Sequence, residues 1–358
     1  MHMRTYQLIL LLALLLFGGY FIIQQSDFSN DTKDLTDNEM HFVQKKQQLK
    51  TKQVPAQKEM KGLLNGKLYD WLRQSVDDLI SEYGDPDRKD QSAYGYTWWV
   101  YSNQKDEHIQ FGIKDDQIVT VFATGEELSI DPLEIDQSYQ EVDEIFTLQD
   151  EIIYEQDISF FTFRLNEEDL KMRPLVQLAD DYYIQLYFDT ITNALSSIRI
   201  MNADTLLLHR FYEIEYRGKL PEQPSFSNEE WEKIEVGMQN QIFDLTNLFR
   251  YRYDQSPLHV EVNASEVAFM HSKDMAENNY FSHYSQNGDG LKERLEAEEV
   301  YYIEAGENIA AQYSDAPAAM EGWLNSESHR EALLKEEYTH LGVGVYRQYY
   351  TQNFLAKP

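Results

Sequence analysis

The sequence predicts an α+β protein: a mainly antiparallel β domain with a helix, followed by a domain that combines helices with strands. Two observations carry this prediction. Between about residues 94 and 201, runs rich in aromatic and β-branched residues alternate with turn residues, as in β-hairpins. After about residue 229 the apolar spacing changes to threes and fours, as in Ile234, Met238, Ile242, Leu245 and Phe249, which indicates a helix.

Length and composition limit the classes of protein. A chain of 358 residues is long enough for about two domains. Its 62 Asp and Glu outnumber its 31 Lys and Arg, and the net charge of −31 repels phosphate backbones, so we expect no nucleic-acid partner. Because the chain has no cysteine, disulfides and thiolate sites are excluded, and any metal must be bound by His, Asp or Glu.

Residues 1–26 contain an export signal. Arg4 precedes an apolar run from Leu8 to Ile23, whose length lies between that of a signal-peptide core and that of a spanning helix. No small-x-small cleavage site follows, which favours an uncleaved single-pass anchor in the cell membrane; a cleaved signal peptide and secretion are the alternative. Since the positive charge lies on the short N-terminal side, the C-terminal part is expected outside.

A stalk and a first domain follow the anchor. Residues 27–60 are polar, mixed in charge and poor in periodic apolar residues, which predicts a stalk. The first domain is expected over 61–222. It opens with a helical pattern from Leu68 to Ile80 that Gly84 and Pro86 end, and hairpins follow in "HIQFGI", "IVTVFATG", "YYIQLYFD" and "LSSIRIM". The segment "YRGKLPEQPSFSNEEW" predicts a linker.

The second domain is expected over 229–358. Asn263 and Glu266 resemble a capping box for its second helix, and a third helix is expected to start near Ser314 or Asp315, with Pro317 in its first turn. In "HLGVGVY" apolar residues alternate with glycines, which predicts a strand whose glycine face lets another element approach closely.

Three polar residues of the second domain are not required by these patterns: His283, Glu307 and His329. Each alone has an ordinary explanation: His283 as a loop residue, Glu307 as a carboxylate that accepts N–H bonds at a turn, and His329 as a residue in the first turn of a helix. Their presence together makes them candidates for one site.

From about Glu229 to Pro358 the sequence resembles the CAP superfamily of cysteine-rich secretory proteins, antigen 5 and pathogenesis-related proteins, in the form of a bacterial SCP domain. The matching motifs occur in order: "NLFR" with "SPL", "VAFMHSKDMAENNYFSHYS", "AGENIA", "GWLNSESHREALL", "LGVGVY" and "YYTQNF". Residues 62–221, chiefly "EYGDPDRKDQSAYGYTWWVY", resemble the CAP-associated N-terminal domain of Bacillus membrane-anchored proteins. The resemblance implies an α-β-α sandwich with a cleft.

The same resemblance implies a set of cleft residues. The family commonly gathers two His and two Glu around a divalent ion. By motif, His283 and His329 take the histidine places, and Glu307, followed by Asn308, takes the glutamate of the G-E-N motif. Ser326 stands where animal and plant members have the second glutamate and where many bacterial members also have serine. His283, His329 and Glu307 are therefore the expected ligands of a zinc or calcium ion.

Three functions fit such a cleft. Members of the family most often bind lipids, sterols or proteins, which favours a surface module for a lipid, a peptide or a wall polymer. A metal-dependent hydrolase or protease would use Glu307 as the general base for a metal-bound water, but the chain lacks the H-E-x-x-H and G-x-S-x-G motifs. A structural scaffold with a vestigial cleft is the third.

Overall fold

A computed structural model describes residues 67–102, 107–126, 128, 130–179 and 181–358. The expected anchor at 1–26 and the expected stalk at 27–60 lie outside these residues. Among the described residues, no helix combines the length and the apolar character needed to cross a bilayer.

Antiparallel sheets form the first half of the described chain. Its described strands are β1 (Arg88–Gln91), β2 (Thr97–Ser102), β3 (His108–Lys114), β4 (Gln117–Thr124), β5 (Glu151–Gln156), β6 (Ser159–Arg164), β7 (Leu175–Ala179), β8 (Tyr182–Asp189), β9 (Ala194–Asn202) and β10 (Glu213–Arg217). One sheet has the order β1-β2-β3-β4-β9-β8-β7 and a smaller one the order β10-β6-β5. Asp115 and Asp116, both with positive φ, make the tight turn between β3 and β4. The predicted hairpins are confirmed.

Short helices pack beside these sheets. Those described are α1 (Lys67–Asp70), α2 (Val76–Tyr83), α3 (Tyr139–Phe146), α4 (Glu167–Met172) and α5 (Ala203–His209). The helical pattern expected from Leu68 to Ile80 is divided between α1, a 3₁₀ turn at Trp71–Arg73, and α2. Gln74 is extended, and the Ser75 hydroxyl accepts a bond from the Asp78 N–H, which starts a new helix. This local capping box overrides the continuous apolar spacing.

The second half is a sheet between two layers of helices. Its described elements are α6 (Asn228–Arg252), β11 (His259–Val260), α7 (Val262–Asn278), α8 (Leu291–Ala297), β12 (Glu304–Ala311), α9 (Ala316–Leu324), α10 (Glu327–Leu334), β13 (His340–Tyr346) and β14 (Tyr349–Ala356). The sheet order is β11-β13-β14-β12; the β11–β13 pair is parallel, and the other two pairs are antiparallel.

The two layers can be seen from neighbouring residues of β14, whose side chains point to opposite faces. Asn353 donates to the Ala264 oxygen of α7 at 3.2 Å, whereas Gln352 donates to Thr246 Oγ1 of α6 at 2.7 Å. Helix α7 therefore covers one face and α6 the other. The α-β-α sandwich is confirmed.

Helix α7 lies very close to β13. A Cβ added to Gly344 would lie 1.9 Å from the backbone nitrogen of Phe269, and one added to Gly342 would lie 2.2 Å from the carbonyl carbon of Ala264. Only a residue without a side chain fits at these two positions. The expected close approach to the glycine face is confirmed.

The predicted helix starts have mixed outcomes. Helix α6 contains the predicted apolar stripe, and α9 begins after Asp315, whose side chain accepts from the Ala318 N–H at 3.1 Å. The capping box at Asn263 is wrong, because α7 already begins at Val262. Glu261, the residue before it, makes no capping bond, and its carboxylate pairs with Lys357 instead.

Buried polar contacts join the two halves. Arg199 of β9 forms an ion pair with Asp315: Nη2 donates to Oδ1 at 2.9 Å, and Nη1 lies 2.8 Å from Oδ2. Ser196 and Ser197 of β9 donate to one oxygen of Glu321 in α9, at 3.1 and 2.6 Å. The sheet of the first half therefore supports the helix that leads into α10 and the candidate site.

Candidate functional site

Strand β12 places two candidate residues side by side. Across the sheet, Glu307 is opposite Asn353 and Asn308 is opposite Gln352. Because opposite residues share a face, Glu307 faces the α7 layer and Asn308 faces the α6 layer. The other site residues approach β12 from these two layers.

His283 and Glu307 form a direct pair. His283 lies in the loop after α7, and its Nδ1 is 2.9 Å from Glu307 Oε1. An ionised carboxylate only accepts hydrogen bonds, so Nδ1 carries the proton and donates it. The His283 side chain is 52% exposed, whereas that of Glu307 is 4% exposed. The imidazole therefore covers a buried carboxylate and keeps Nε2 for other partners.

Arg294 of α8 binds the second oxygen of Glu307. Its Nη2 donates to Glu307 Oε2 at 2.5 Å. Its Nη1 donates to the backbone oxygens of His283 at 2.9 Å and Asp289 at 3.2 Å. Arg294 thereby ties the loop between α7 and α8 to β12 beside the histidine–glutamate pair.

These contacts fix the charge of the site. Burial of the Glu307 carboxylate opposes its ionisation, but the hydrogen bond from His283 and the charge of Arg294 outweigh burial, so the pKa of Glu307 lies below its ordinary value. His271 of α7 is buried and interacts electrostatically with the Glu307 carboxylate. Its Nε2 bonds to the backbone oxygen of Ser282 at 2.9 Å. Burial lowers the pKa of His271. Glu307 is therefore a fixed anion and a poor general base near neutral pH.

His329 lies in the first turn of α10. Its Nδ1 is 2.7 Å from Ser326 Oγ, and its backbone oxygen accepts from Asn308 Nδ2 at 3.0 Å. The structure thus divides the expected cleft residues into two hydrogen-bonded groups, which contact opposite faces of β12. One contains His283 and Glu307, the other His329, Ser326 and Asn308, and neighbouring residues of β12 link them.

Comparisons with known proteins agree with this architecture. The family model of the CAP-associated N-terminal domain matches residues 72–212. The family model of the cysteine-rich secretory protein family, CAP, matches residues 243–356. The membrane protein YlbC of Bacillus subtilis (strain 168) is 44% identical over 290 residues, which are 81% of this chain and 84% of that protein. This chain belongs to the CAP family.

Two solved structures share the CAP fold. An extracellular protein of Bacillus anthracis that contains an SCP domain matches with a TM-score of 0.76 and 38% identity, over 88% of this chain and 100% of that one. A cysteine-rich secretory protein of Staphylococcus aureus, SAV1118, matches with a TM-score of 0.71 and 26% identity, over 82% of this chain and 96% of that one. The family expected from the motifs is therefore confirmed.

Sequence reasoning missed two residues of the CAP site. Arg294 lies in α8 among Lys292, Glu293 and Glu296, a composition typical of a solvated helix face. His271 lies within α7, and its position in the sequence gives no sign that it approaches the site. The sequence offers one signal for Arg294, its position along the chain. Helix α8 comes directly before the strand that carries the G-E-N motif, and Arg294 is the one arginine of that helix.

The contacts of Glu307 do not fit a divalent cation. One carboxylate oxygen already accepts from His283 and the other from positively charged Arg294. Ser326, in place of the second glutamate, is bound to His329. Within the part of the chain that the structure describes, no three His, Asp or Glu side chains are grouped so that they could hold a metal ion. The zinc or calcium ion implied by the CAP resemblance stays a prediction.

Proposed function

We propose that this CAP protein is a cell-surface ligand-binding protein, anchored in the membrane by residues 1–26 with both domains outside. The descriptions of two relatives as a membrane protein and an extracellular protein support this location. The apolar run Leu8–Ile23 after Arg4 supports the anchor. The observation that carries the ligand-binding proposal is the half-exposed His283 held on the buried Glu307.

His283 is oriented before a ligand arrives. Glu307 fixes Nδ1, so the ring orientation is set and Nε2 can bond to a ligand. Arg294 fixes the backbone of the same residue through its carbonyl oxygen. Since the ring and its loop are already ordered, binding loses little conformational entropy.

Exposed apolar side chains flank this polar group along the chain. Tyr284 follows His283 and is 56% exposed. Tyr301 and Ile303, 71% and 68% exposed, lie in the connection between α8 and β12. Exposed apolar side chains such as Tyr284, which follows an oriented polar group in the chain, favour a partly apolar ligand. A lipid or an apolar peptide meets this requirement better than a purely polar wall polymer.

Ligand recovery from the native membrane tests the proposal. The full chain, His283→Ala and the control His259→Ala would be purified in parallel and their bound molecules identified by mass spectrometry. His259 is an exposed histidine of β11 in the same domain. Losing one hydrogen bond to a ligand costs about 1 kcal/mol, so His283→Ala should retain roughly fivefold less ligand than the other two. Equal recovery from all three contradicts the proposal and favours the structural scaffold.

One observation favours a second function, hydrolysis. A histidine whose Nδ1–H bonds to a buried carboxylate, with Nε2 available, is the arrangement of a general base that activates water. The general base of such a hydrolase is His283 and not Glu307, because both oxygens of Glu307 already accept hydrogen bonds, from His283 and Arg294. Ester or peptide hydrolysis by the full chain that falls about a hundredfold or more in His283→Ala supports this function. Equal rates in the two proteins exclude it.

A further inference from the structure

Arg294 occupies the side of Glu307 that a cation would need. Its guanidinium reaches Oε2 directly, and its side chain is 10% exposed. The remaining bonds of Nη1 go to the loop that carries His283: two backbone oxygens and, at 3.4 Å, Ser285 Oγ. Both terminal nitrogens of the guanidinium are therefore bonded to protein acceptors, and the group is not a mobile surface charge.

A cation and this guanidinium exclude each other at Glu307. Oε1 already accepts from His283 and Oε2 from Arg294, so a divalent ion on this carboxylate would have to lie directly beside both donors. The Glu307 side chain is almost fully buried, so water screens the repulsion between two neighbouring positive groups only weakly.

The same guanidinium also links the parts that a metal would link. A metal bound to His283 and Glu307 would join the loop after α7 to β12. Arg294 makes that connection by binding the His283 carbonyl with Nη1 and the Glu307 carboxylate with Nη2. One side chain supplies both the charge and the cross-link.

We propose that Arg294 takes the place of a divalent cation in this CAP cleft. It neutralises Glu307, turns Oε1 toward His283 and closes the loop onto β12, which makes it a positioning residue. This proposal concerns the ion alone and does not depend on the identity of a ligand or on any hydrolysis.

Zinc titration of variants tests this replacement. The full chain without a histidine tag, stripped with a chelator, would be titrated by calorimetry at neutral pH beside Arg294→Gln and Lys292→Gln. Lys292→Gln is the matched control, because it removes the same charge from a side chain of α8 that is 68% exposed. We expect weak zinc binding by the wild type and by this control, and a site at least about tenfold tighter in Arg294→Gln. Adding Glu307→Gln should remove the new site.

Two results would overturn the proposal. One is a tight zinc site in the wild type that Glu307→Gln removes, which can be measured even if Arg294→Gln does not fold. The other is an Arg294→Gln protein with the circular dichroism of the wild type and no gain in zinc affinity. Arg294→Lys, which keeps the charge, should bind zinc as weakly as the wild type, and a gain in this variant would also contradict the proposal. Lost structure alone cannot create a zinc site that depends on Glu307.

Discussion

Asp315→Asn tests whether the buried ion pair between the two domains is structurally essential. The side chains of Arg199 and Asp315 are 0% and 6% exposed, and they are joined by an ion pair and one hydrogen bond. Asparagine keeps the shape and can still accept the Ala318 N–H that caps α9, so the substitution mainly removes charge. Removing one partner leaves the other charge buried and uncompensated, which costs about 3 to 5 kcal/mol. We expect a loss of this size in the free energy of unfolding.

The pH dependence of this loss has a defined sign. Burial opposes ionisation of Asp315, but Arg199 outweighs burial, so the pKa of Asp315 lies below its ordinary value. The stability that the carboxylate contributes is therefore present above its unfolded pKa and disappears as the pH falls through the folded pKa. The difference in the free energy of unfolding between Asp315→Asn and the wild type should therefore become smaller at acidic pH.

Urea unfolding followed by circular dichroism measures the loss, with Glu215→Gln as the control. Glu215 pairs with Arg164 at 3.1 Å, but these side chains are 43% and 42% exposed. A surface pair of this kind contributes less than about 1 kcal/mol. If Asp315→Asn destabilises the protein no more than Glu215→Gln, the reasoning about burial is refuted.

Two further substitutions test the packing of the molecule. Burial raises the pKa of Glu321 to about 7 despite bonds from Ser197 and Ser196, so its stabilising effect is complete below the unfolded pKa and is lost as the pH rises through about 7. In urea unfolding, the free energy of unfolding of Glu321→Gln should therefore rise relative to that of the wild type by up to about 3 kcal/mol between pH 5 and pH 8. A difference between the two proteins that does not change with pH would contradict this. Gly344→Ala should cost about 3 kcal/mol or more, because the new Cβ would lie 1.9 Å from the backbone nitrogen of Phe269 in α7. An unchanged melting temperature of this variant would show that α7 can move away.

Local signals in the sequence were sufficient for much of the fold. The turn at Asp115 and Asp116 and the start of α9 at Asp315 depend on residues within a few positions of each other. The start of α2 depends equally on a local signal, Ser75 with Asp78, but the regular apolar spacing around it hid the break. Boundaries were therefore less predictable than the existence and type of the elements.

The candidate site was predictable only where a motif marks it. His283 and Glu307 stand in recognisable motifs, and the structure pairs them directly. Arg294 gains its role from a loop and a strand that fold around it, and its own helix gives no sign of burial. Arg199 is similar, since its partner Asp315 lies more than a hundred residues away along the chain. Contacts of this range depend on the tertiary structure and not on local spacing.

Trp323 gives the CAP domain a built-in optical reporter. Its indole Nε1 donates to the backbone oxygen of Ile309 at 3.0 Å, two residues along β12 from Glu307. Indole emission depends on the polarity around the ring and on the bonding of Nε1. With the other four of the five tryptophans changed to phenylalanine, the remaining fluorescence would follow the strand that carries the buried carboxylate. Occupation of the cleft could then be observed as a spectral change in an unlabelled protein.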